Sequence, residues 1–157
     1  MTSTSTPARY AHLDTVISTP DARWNAAAAS YFLRDGLALA DRTFGDYAKA
    51  TVAFDHAKAD IEATYGRDYR ASDEGSNAFE PIWETMKAAV EAQYQNYLAP
   101  LWQAARDLAL TPAPTLPAAL FKVEVIRHEE LDNDIYMTRD PMEVIAEDMA
   151  RLAGEIA

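Results

Sequence analysis

The sequence predicts an all-α protein, a single-domain antiparallel helical bundle of about five helices with one kink near Pro100. Three observations predict it. Apolar residues recur at alternating spacings of three and four, which lines one face of a helix. Ala, Leu, Glu, Met and Gln favour helix, while glycines number only five and the longest β-branched run is Val123-Glu-Val-Ile126. Capping residues, two of them followed directly by proline, stand before several of the apolar stripes. At 157 residues the chain fits one domain, which buries roughly 70% of the surface of its unfolded form.

Residues 1–18 read as a polar arm and residues 19–157 as the bundle. Thr19-Pro20-Asp21 is a helix entry, with Thr19 as cap, and the first helix runs from Pro20 to about Thr43. Trp24, Ala28, Tyr31 and Phe32 mark its inner face. Gly36 weakens its middle by roughly 1 kcal/mol against alanine. After Gly45 a second helix covers about Asp46 to Tyr65, with Phe44, Tyr47, Thr51, Phe54, Ile61 and Tyr65 at helical spacings. Lys58 breaches that stripe, although its aliphatic stem can cover apolar surface. Gly66 stops the helix.

Residues 67–77 are the polar connection, expected to be the longest and most mobile loop. A third helix starts near Ser76 or Asn77 and carries Trp83, Met86, Val90, Tyr94, Tyr97, Leu101, Ala105 and Leu108. Pro100 removes one backbone donor and kinks it, but the stripe resumes beyond. The prolines of Thr111–Pro117 make a stiff connector, and Thr115 caps a fourth helix from Leu116 to about Asp132 or Ile135. Its inner side uses Leu116, Leu120, Val123, Ile126 and Leu131. Asp140-Pro141-Met142-Glu143 opens a fifth helix with the elements of a capping box, and Met142, Ile145, Met149, Leu152 and Ile156 line it.

Formal net charge is -11. Residues 1–122 carry 15 acids and 11 bases, and residues 123–157 carry 10 acids and 3 bases, so the excess sits at the C-terminal end. Such a field repels nucleic acid and anionic membrane and steers basic partners inward. With no cysteine there are no disulfides, thiolate metal sites or Cys nucleophiles. The N-terminal residues lack a secretory core and no run approaches a membrane span, so a cytoplasmic protein is expected.

Chemistry is mostly absent. Five isolated glycines exclude a P-loop, a dinucleotide fingerprint and a nucleophile elbow. The residues three before His12, His56 and His128 are Arg9, Ala53 and Val125, so the Glu-x-x-His di-metal pattern fails. Glu124 and His128 share a helical face, as do His56 and Asp60, but each pair reads as an ordinary surface i,i+4 pair. No catalytic residue, metal or cofactor is assigned. The residues marked for an interaction or pocket surface are Trp83, Glu84, Tyr94, Tyr97, Trp102, Glu124 and His128. Glu84 stands out among many solvated carboxylates because it adjoins Trp83 in an aromatic-rich helix.

Pro112–Leu120, then Lys122, the acidic stretch, Ala146-Glu-Asp148 and Arg151-Leu-Ala153, together with Trp24, Ala28 and Tyr31, form a pattern. It resembles a group of small, uncharacterised, acidic helical proteins of bacteria that often lie in mobile-element neighbourhoods. The resemblance implies the helical fold and a bacterial or prophage origin, and it transfers no catalytic residue. Three functions are therefore expected in order. First is a non-enzymatic protein–protein interaction module forming a homo-oligomer. Second is an acidic inhibitor or nucleic-acid mimic acting on a basic partner. Third is a small-molecule binder with an aromatic pocket.

Overall fold

The computed structural model describes residues 13–156, with side chains over 14–154. Among them every regular segment is helical: α1 (Leu13–Ile17), α2 (Ala22–Phe44), α3 (Asp46–Tyr65), a 3-10 turn (Tyr69–Ala71), α4 (Asp73–Gln93), a π segment (Tyr94–Leu98), α5 (Ala99–Leu110), α6 (Leu116–His128), a second 3-10 turn (Leu131–Asn133) and α7 (Pro141–Ile156). None of these helices is long and apolar enough to cross a membrane. Most of the expected polar arm, and His12 with it, lies outside the described residues.

The helix ends follow local chemistry, with three departures from expectation. The cap of α2 is Asp21 and not Thr19: Asp21 Oδ1 accepts from the N–H groups of Arg23 at 2.8 Å and Trp24 at 3.0 Å. Thr19 instead bonds the Asn25 side chain at 2.7 Å, just outside the helix. A carboxylate one residue from the first turn satisfies two orphan donors that a hydroxyl two residues further back cannot reach. α4 begins at Asp73, three or four residues earlier than expected. Ser72 Oγ accepts from Gly75 N at 3.1 Å, and Asp73 and Glu74 favour the positive end of the helix. The connection before it is anchored, because Tyr69 is buried against Ile61 and Phe79. Gly75 makes that closure feasible: a Cβ there would collide with the backbone oxygen of Tyr69. α6 ends at His128, because Glu130 takes a left-handed conformation (φ 54°) that no helix can continue through.

The disturbance expected at Pro100 takes the form of the π segment just before it. Ala99 N donates to Tyr94 O, five residues back. A proline ring presses on the carbonyl four residues earlier, here Asn96, and a widened turn relieves that contact.

Contacts group the described residues into two compact units, residues 13–33 with 101–156, and residues 34–100. In the first, α6 packs on α7 and α1 on α6. Trp24 and Tyr31 are fully buried; Trp24 Nε1 donates to Val16 O at 2.7 Å, and Tyr31 Oη donates to Glu129 Oε1 at 2.8 Å. The alanines 104, 105 and 109 are buried on α5, where small side chains allow close approach. In the second unit α3 packs on α4, and Phe54, Ile61, Tyr69, Phe79 and Ile82 form its core.

Four apolar stripes differ from expectation. On α4 the buried line is Phe79, Met86 and Gln93, so Trp83, Val90 and Tyr94 lie beside it, exposed. Of the expected α3 stripe only Ile61 is buried, and Phe44 is exposed. On α6, Leu116 and Leu120 face water while Ala118, Ala119, Lys122, Val125 and Ile126 face inward. On α7, Met142 and Met149 are exposed while Val144, Ile145, Asp148 and Leu152 are buried. The last two departures have one cause, the ion pair described next.

Candidate functional site

Two constellations concentrate the chemistry, one in each unit. The first is a buried clip. Lys122 is fully buried on α6, and its Nζ lies 2.5 Å from Asp148 Oδ2 on α7. The other Asp148 oxygen accepts from Ala113 N at 3.0 Å, and Arg151 Nη2 is 3.2 Å from it. Arg151 Nη2 also donates to Ala113 O. Both polar groups of Ala113, at the middle of the proline-rich connector, are thus held by α7. Burial pushes the Lys122 ammonium below its usual value, and the bond to Asp148 pulls it part of the way back. The Trp24 ring, 5.7 Å from Lys122 Nζ, faces the same cation. The pair sits in a closed interior with every strong group satisfied, which is the arrangement of a structural tie and not of a proton-transfer centre open to substrate. Lys122, Asp148 and Arg151 together tie α6, α7 and the proline-rich connector to one another.

The second constellation is an open cleft of about 560 Å³ along α4 in the 34–100 unit. Phe79 forms its floor. Trp83, 40% exposed, stacks on Phe79 with centroids 6.3 Å apart and planes at 16°. The Arg70 guanidinium lies 4.3 Å from the Phe79 ring centre. Glu84 bonds Lys87 at 2.7 Å and raises its pKa, with Glu80 adding to the field. Among the described residues no carboxylate lies within salt-bridge reach of Arg70.

The structure thus brings together two of the residues marked in the sequence, Trp83 and Glu84, in one cleft. Tyr94 and Tyr97 belong to the π segment of the same unit but do not line that cleft. Trp102 is half-buried on α5. Glu124 and His128 are exposed on α6, and His128 Nε2 lies 3.8 Å from Glu129 Oε1 instead. The sequence names Lys122 and Asp148 only within a pattern of resemblance, and it assigns no site role to them, to Arg70 or to Glu129. Asp148 was discoverable, because it lies three residues from Ile145 and four from Leu152, on the inward side of α7.

α2 adds a surface feature. In the 34–100 unit, Leu37 and Phe44 are 42% and 80% exposed, and with exposed Ala40 they recur at 3-4 spacing. In the same unit Ala38 is buried on the other side, so this half of the helix is apolar on two faces.

No protein-family model, no curated protein and no solved structure matches this chain.

Proposed function

We propose that this chain is a non-enzymatic helical interaction module that self-associates through the outer face of α2, in the cytoplasm of a bacterium or a mobile element it carries. The observation that carries the proposal is the Leu37–Ala40–Phe44 stripe in the 34–100 unit. Single exposed apolar side chains are ordinary, but an ordered row of them on one helix is a surface built for burial. Burying apolar area yields roughly 25 cal/mol per Å². Gly36 adds support. It weakens α2, nothing lies within 4 Å of where its Cβ would be, and it lies one position from Leu37 and four from Ala40. A second helix could approach closely there, and a two-fold axis would place the same stripe on both partners.

The acidic-decoy reading has less behind it. Among the C-terminal carboxylates, Asp134 pairs with Arg106, Glu147 with Arg139, Asp148 with Lys122, and Glu129 accepts from Tyr31. Four of the ten acids in residues 123–157 are thus engaged within the chain and less available to a basic partner.

Size-exclusion chromatography with light scattering, over a hundredfold concentration range, tests the proposal. The native chain is expected to run as a dimer or larger, and L37D/F44D as a monomer with an unchanged circular dichroism spectrum. A native chain that stays monomeric throughout refutes self-association.

A further inference from the structure

We infer that a second copy of the chain covers the α2 stripe with its α4. Leu37, Ala40 and Phe44 of one copy dock on the exposed Trp83, Val90 and Tyr94 of the other, and Arg34 and Arg42 meet the acids that run beside that row. The inference rests on the self-association proposed above and names the surface that the stripe meets. Both faces belong to the 34–100 unit.

Charge carries the first part of the argument. The chain has a net charge of -11, yet residues 34–44 of α2 expose Arg34 and Arg42 and bury both of their acids, Asp35 and Asp41. The next acid along, Asp46, opens α3 and pairs with Lys49 at 3.4 Å. The outer surface of this segment is therefore cationic, and packing α2 on α2 would gather the arginines of both copies. On α4 the exposed Glu80, Glu84 and Glu91 recur at 4-7 spacing, which puts them in one row. Lys87 shares that row and bonds Glu84 at 2.7 Å. Three acids and one base leave the row at -2, against the +2 of Arg34 and Arg42. Opposite fields steer two faces together, and like fields suppress the wrong pairing.

Shape carries the second part. Trp83, Val90 and Tyr94 are exposed and recur at 7-4 spacing, along one side of α4 and the start of its π continuation. Leu37 to Phe44 and Trp83 to Val90 are both steps of seven residues, about 10.5 Å along a helix. Rows of equal repeat can interdigitate. Their bulk is complementary as well. Around Leu37, α2 offers Gly36 and Ala40, and nothing lies within 4 Å of the Gly36 Cβ position. The α4 row offers two large rings, of the kinds most enriched at the centres of protein interfaces. Facing α2 on itself sets small against small. Facing it on α4 lets the exposed parts of Trp83 and Tyr94 fill the space beside Gly36 and Ala40. A two-fold axis then makes the contact twice, α2 of each copy on α4 of the other.

The test is light scattering on size-exclusion fractions of two charge-reversed variants of the full chain, R34E/R42E and E80R/E91R. All four positions are exposed, Glu84 keeps its bond to Lys87, and an unchanged circular dichroism spectrum checks each fold. Alone, each variant should associate at least tenfold more weakly than the native chain. Mixed in equal amounts, the two should regain the native mass, because every α2–α4 contact between them again joins opposite charges. If E80R/E91R associates like the native chain while L37D/F44D is monomeric, this inference is overturned and self-association through α2 stands. A mixture that stays monomeric also overturns it. A native chain that is monomeric at every concentration overturns both.

Discussion

The two halves of the buried clip should differ sharply in what their removal does to stability. D148N leaves the Lys122 ammonium fully buried with only a neutral amide and the Trp24 ring beside it. It also replaces the acceptor of Ala113 N and the partner of Arg151. Breaking one side of a buried pair costs about 3–5 kcal/mol, because an uncompensated charge stays behind. K122M removes the cation instead, and Asp148 keeps Ala113 N–H and Arg151, so the loss should be smaller, about 1–3 kcal/mol. Against a total stability of about 5–15 kcal/mol, D148N consumes a large share. In a chain of this size it should lower Tm by on the order of 10 °C. Urea titration followed by circular dichroism measures both variants. D148N within 0.5 kcal/mol of the native chain, or K122M costing more than D148N, refutes the reasoning. The pH dependence has a definite sign. The folded-state pKa of Lys122 is lowered, so between it and the unfolded value near 10.5 the unfolded chain binds more protons. The native chain should gain stability relative to K122M as pH rises into that alkaline window.

The glycines separate by environment. G36A should stabilise the chain by about 0.5–1 kcal/mol, measured in the monomeric L37D/F44D background, because its Cβ meets nothing and helix propensity rises. G75A should destabilise by about 1–3 kcal/mol, since its Cβ collides with the Tyr69 backbone and displaces that ring from the core; thermal melts check both. At Asp134, burial alone would raise the carboxyl. The Tyr136 N–H and the Arg106 guanidinium, 2.7 Å away, override it and hold the pKa below the usual range. That contribution is present above the unfolded value near pH 3.8 and is lost as pH falls through the folded value. R106Q should therefore be less stable than the native chain at pH 7, with the gap closing at pH 3 in urea titrations.

Local chemistry alone determined where most helices lie. α3 runs from Asp46 to Tyr65 because Gly45 precedes it and Gly66, at φ 84°, ends it. Thr115 and Asp140 open α6 and α7 by accepting from N–H groups three and two residues on, respectively. Caps and left-handed glycines act within one turn, so they are readable from neighbours in sequence. The cleft was half legible: Trp83 and Glu84 drew notice as an aromatic beside an acid, but Arg70 reaches them only because Tyr69 is drawn into the core. Which face of α6 and α7 turns inward was decided by tertiary structure. The apolar periodicity puts Leu116, Leu120, Met142 and Met149 in the core, and gives Lys122 and Asp148 no place there. Each of those two would be costly to bury alone, and only the meeting of residues 26 positions apart makes their burial tolerable. Hydrophobic periodicity weighs residues one at a time and cannot register a pair whose favourable energy exists only once both are in place.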